Sequence, residues 1–77
     1  MEKTCKAYYY NALEEKVQKI QTNTKRELVE ELIVFLTDVF NTTDMVIIDD
    51  GEQLKHIIVG GRSLPYVISK VIDYLLA

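Results

Sequence analysis

Asp50-Gly51 sits between two short β-branched runs, Met45-Val46-Ile47-Ile48 and Leu54-Lys55-His56-Ile57-Ile58-Val59, and no other feature restricts the chain as much. Glycine adopts the positive φ that a tight hairpin turn requires, so this pattern predicts a β-hairpin turning at Asp49-Asp50-Gly51-Glu52. A two-stranded hairpin is not stable alone in water and must lean on helices or extend across a subunit boundary. Pairing about the turn would place Met45, Ile47, Leu54, His56 and Ile58 on one face. Val46, Ile48, Gln53, Lys55 and Ile57 would lie on the other. Neither face is cleanly polar, so both require partial cover from helices or a second hairpin.

Helical periodicity supplies that cover. Over Ala7–Gln21, Tyr9, Tyr10, Leu13, Val17 and Ile20 fall within an arc of about 100°, and Tyr10, Leu13, Val17 and Ile20 have the 3-4-3 spacing of a paired-helix seam. The three tyrosines with Thr4 and Cys5 admit an N-terminal strand over Thr4–Tyr10 instead. Gln21-Thr22-Asn23-Thr24 breaks the pattern, and Thr24 with Glu27 three residues on is a capping box. A second helix is expected over Lys25–Phe40, with an apolar face of about 160° and Val34 outside it. Ser63 caps a last helix with Pro65 in its first turn, apolar over about 200°. The expected fold is a single α+β domain spanning residues 1–77: two N-terminal helices, a hairpin, and a C-terminal helix on the sheet.

Composition narrows function by exclusion. The 77-residue chain carries 9 basic and 12 acidic residues, a net charge of −3, which argues against attachment to nucleic acid or an anionic membrane by bulk charge. No apolar run approaches the length of a membrane span, and the first residues lack the apolar stretch of a signal peptide. One cysteine, Cys5, and one histidine, His56, cannot make an internal disulfide or a structural zinc set, which fits a reducing, cytoplasmic setting. The acids around the hairpin turn lack the spacing of a calcium loop. His56 has no nucleophile at a recognisable spacing. The reading is therefore non-enzymatic, without metal or cofactor.

Three binding readings remain. The first is a protein-interaction module, an inhibitor or adaptor of the kind phages and mobile elements make against host enzymes or defence systems. Its contacts would be Tyr8 and Tyr9 of a tyrosine run that fans too widely to face one core, Tyr8 pointing away from the helical stripe, and an acidic tip of Asp49, Asp50 and Glu52. The second is a helix-turn-helix regulator using Lys16, Lys19, Lys25 and Arg26 on DNA phosphates; Glu27, Glu30 and Glu31 on the second helix oppose it. The third is an anion or nucleotide site at Gly60, Gly61, Arg62 and Ser63, where a helix N-terminus offers free N–H groups. Charge is uneven: residues 1–27 hold six bases and four acids, the remainder three and eight, which suits partner contacts better than a duplex footprint. A homodimer is expected as well, through Tyr10, Leu13, Val17 and Ile20 of the first helix and Leu76 of the last, because so short a chain buries a thin core.

Overall fold

A computed structural model describes residues 4–41, 43–51 and 55–76. The element order is β1 (Cys5–Asn11), β2 (Lys16–Thr22), α1 (Lys25–Val39), β3 (Met45–Asp49), β4 (Lys55–Ile58) and α2 (Leu64–Leu76). The strands form one antiparallel sheet in the order β2-β1-β3-β4. The expected pair of N-terminal helices is thus corrected: a hairpin replaces the first helix, and two helices, not three, accompany four strands.

Local chemistry explains the replacement. Cys5–Asn11 contains three consecutive tyrosines, which fit a pleated surface better than a helix. Ala12-Leu13-Glu14-Glu15 has strong helical propensity, yet it forms the turn. Asn11 Oδ1 accepts the Glu14 N–H at 3.0 Å, and Glu15 takes the left-handed backbone with φ 55°. The 3-4-3 stripe disappears with the helix. Leu13 projects from the turn, 85% exposed, while Tyr10 and Val17 become cross-strand neighbours.

The N-cap forms as expected. Thr24 Oγ1 accepts the Glu27 N–H at 3.1 Å and donates to Glu27 Oε1 at 3.0 Å, and α1 starts at Lys25. Leu28, Val29, Leu32 and Leu36 are the buried face of α1, while Val34 points outward, 72% exposed. In α2 the buried residues are Val67, Val71 and Leu75. The two helices pack on each other, α1 over β1 and β2, α2 over β4.

The second hairpin forms where expected, with a different register. Asp49 pairs with Lys55, Ile48 with His56, Ile47 with Ile57 and Val46 with Ile58. Asp49 pairing with Lys55 rules out the two-residue turn, and the faces are reassigned. Ile47 shares a face with Ile57, and Ile48 with His56. An odd slip exchanges faces throughout a strand. Gln53 and Leu54 lie outside the described residues. Gly51 keeps its turn role with φ +81°; a Cβ there would come within 2.6 Å of the Thr4 carbonyl oxygen.

Two substitutions check this packing. Leu32 is fully buried, so Leu32→Ala should lower unfolding stability in urea by about 2–5 kcal/mol. A Cβ at Gly60 would lie 2.7 Å from the Thr43 carbonyl oxygen, where the chain approaches the α1–β3 connection. Gly60→Ala should cost about 1–3 kcal/mol in the same measurement, and an unchanged midpoint would refute that close approach.

Candidate functional site

Strand alternation divides the tyrosine run. Cys5, Ala7 and Tyr9 face the helices and are buried, whereas Lys6, Tyr8 and Tyr10 face away. On β3, Val46 and Ile48 are buried under the helices, and Met45, Ile47 and Asp49 lie on the opposite face. Register extends each row across the sheet. Lys19, Tyr8, Ile47 and Ile57 form the central row; Val17, Tyr10 and Met45 lie to one side of it, and Gln21, Lys6, Asp49 and Lys55 to the other.

Among the described residues nothing covers this face. Val17 is 64% exposed and Ile57 57% exposed, at opposite edges of the sheet. Tyr8, Tyr10, Met45 and Ile47 between them are half-buried. The surface is an aromatic and aliphatic centre with Lys6, Lys19 and Lys55 around it, balanced in part by Asp49. Contiguous apolar surface of this kind makes the face the candidate contact site. The acids on α1, Glu27, Glu30, Glu31 and Asp38, lie on the other side of the molecule.

The expected partner residues are consequently scattered. Tyr8 joins the uncovered face. Tyr9 lies in the core, its ring edge-on to Phe35 at 5.1 Å. Asp49 is on the uncovered face, with Oδ1 accepting the Gly51 N–H at 3.0 Å. Asp50 is buried, Oδ2 3.7 Å from His56 Nε2, so it does not form part of an exposed acidic tip. Glu52 lies outside the described residues. His56 stacks on Tyr74 with centroids 4.3 Å apart, on the helix side.

Of the expected oligomer contacts, Tyr10 and Val17 adjoin on the uncovered face, Ile20 packs toward the core, and Leu76 is 49% exposed on α2. Gly60, Gly61, Arg62 and Ser63 are exposed and lead into α2 as expected. The Arg62 guanidinium lies 4.9 Å from the Tyr66 ring centre, and Ser63 Oγ accepts the Tyr66 N–H at 3.4 Å. The helix-turn-helix arrangement is absent from the described residues: Lys16 and Lys19 are on β2, while Lys25 and Arg26 begin α1. Met45, Ile47, Ile57 and Lys6 went unassigned by sequence reasoning. Met45-Val46-Ile47-Ile48 is continuously apolar, so no polar alternation marked which of its residues would stay uncovered, and the helical reading of residues 7–21 hid the strand that carries Lys6.

Beneath the face, Tyr9 fixes its geometry. Its hydroxyl donates to Asp44 Oδ2 and accepts the Asn41 N–H at 3.3 Å, while Asp44 Oδ1 accepts the Ala12 N–H at 2.9 Å. One buried carboxylate thus joins β1, the β1–β2 turn and the α1–β3 connection. Comparison with family models, curated proteins and solved structures finds no match.

Burial, reinforced by the bond to Asp44, pushes the Tyr9 hydroxyl up to about 12 from its ordinary value near 10. Its folded-state value exceeds the unfolded one, so the stability it contributes is complete below pH 10 and lost as pH rises toward 12. Tyr9→Phe should cost about 1–3 kcal/mol near neutrality by stranding the buried Asp44 oxygen. The difference from wild type should narrow between pH 10 and 12 in denaturant titrations; a constant difference would contradict the assignment.

Proposed function

We propose that this chain is a non-enzymatic protein-interaction module whose docking surface is the uncovered sheet face. One observation carries the reading: two helices cover one side of a four-stranded sheet, and the other side presents Tyr8, Tyr10, Met45, Ile47 and Ile57, with Lys19 at one edge and Lys6 and Lys55 in the row beside them. Tyrosine and methionine are enriched at protein interfaces, where a large contact area is ordered at small entropic cost. Val17 and Ile57 are aliphatic, so a protein surface covers them better than stacked bases would. An inhibitor or adaptor role follows for a domain that acts by occupying a surface.

We place its action in the cytoplasm. The chain contains one cysteine, and none of the described helices is long and apolar enough to cross a membrane.

Photo-crosslinking in cells tests the proposal. A benzophenone amino acid at Tyr8 should give discrete protein adducts, and the same group at Val34 on the α1 outer face should give markedly fewer. Equal labelling at both positions, or no adduct at residue 8, would refute the sheet face as the docking surface.

A further inference from the structure

We infer that the occupant of the sheet face is a second copy of this chain, packed face to face about a two-fold axis that runs along the strands between β1 and β3. The inference rests on the interface reading of that face. Its ground is self-complementarity in the register. Such an axis lays β1 of one copy over β3 of the other, and β2 over β4. Lys6 then stands opposite the partner's Asp49, Tyr8 opposite the partner's Ile47, and Tyr10 opposite the partner's Met45. Symmetry repeats each pairing.

The alternative axis, across the strands, lays the row of Lys6 and Asp49 over the row of Tyr10 and Met45. That buries Lys6 and Asp49 against apolar surface with no counter-charge from the partner, only their own cross-strand pairing, which is costly. Charge therefore selects the first arrangement. Packed sheets cross at about 30° because each is twisted, so only residues beside the axis stay in register. Those are the β1 and β3 residues, the same ones that match.

The dimensions fit a reversible dimer. Four strands about 4.8 Å apart, with roughly five residues each, give a face of about 19 by 17 Å. Two such faces cover roughly 650 Å² in all, the size of a weak, transient contact rather than a permanent one. Association in the micromolar range is expected, with single chains at high dilution. Both helix layers face outward in this dimer.

Sedimentation equilibrium at about 100 μM, with circular dichroism to check folding, decides the matter. Wild type should approach twice the 8.9 kDa chain mass. Ile47→Lys should sediment as a single chain. Lys6→Asp sets two aspartates against two, and should weaken association at least tenfold; adding Asp49→Asn, which retains an oxygen for the Gly51 N–H, should recover most of it. A single-chain mass for wild type would overturn the inference, as would a dimer indifferent to Ile47→Lys and Lys6→Asp. If a variant fails to fold, the crosslinker at residue 8 in the otherwise wild-type chain reads the same contact. A self-adduct at the peptide containing Ile47 supports the dimer, and its absence overturns it. A monomer whose residue 8 captures another protein refutes the second copy alone; a monomer without adducts refutes the interface reading too.

Discussion

Two helices can cover only one side of this sheet. Strands lie about 4.8 Å apart and packed helices about 8–10 Å apart, so α1 and α2 side by side span roughly four strands. The chain supplies no further helix among its described residues. Ile48, Val46, Ala7 and Tyr9 receive that cover and are buried. Ile47, Met45, Tyr8 and Tyr10, one residue along in each strand, do not. The apolar character of the second set is therefore what needs explaining, and the proposed explanation is a cover supplied by another molecule.

The buried side owes its shape to a polar group. Tyr9 brings a hydroxyl into the core, and Asp44 brings a carboxylate that meets it and the Ala12 N–H. Neither is left unsatisfied, as burial demands. The knot holds the β1–β2 hairpin against the segment entering β3, the two strands at the centre of the sheet. Because it fixes Tyr9 inward, it also fixes Tyr8 and Tyr10 outward.

Sequence reasoning succeeded where a local signal had no competitor. Thr24 and Glu27 mark the start of α1, Ser63 and Pro65 that of α2, and Asp50-Gly51 the second hairpin. It failed over residues 7–21, where two signals competed. Ala12-Leu13-Glu14-Glu15 favours helix and happens to space Tyr10, Leu13, Val17 and Ile20 like a seam. Three adjacent tyrosines favour strand, and pairing of β1 with both β2 and β3 decides in their favour. Such pairing is non-local and leaves little trace in a single window. The same error hid the site, since an uncovered face exists only once all four strands are in place. Even so, the mixed polarity of both hairpin faces already required two covers, and the described residues provide one.

The central claim is that the face of Tyr8, Tyr10 and Ile47 is covered in solution by another molecule of this chain. A concentration series of side-chain NMR spectra tests it most directly. Between about 10 and 500 μM, the ring signals of Tyr8 and Tyr10 and the methyl signals of Met45, Ile47 and Ile57 should shift together, while those of Val34 and Leu76 stay fixed. Changes confined to α2, or spectra independent of concentration with the open-face signals fully solvent-exposed throughout, would contradict the account.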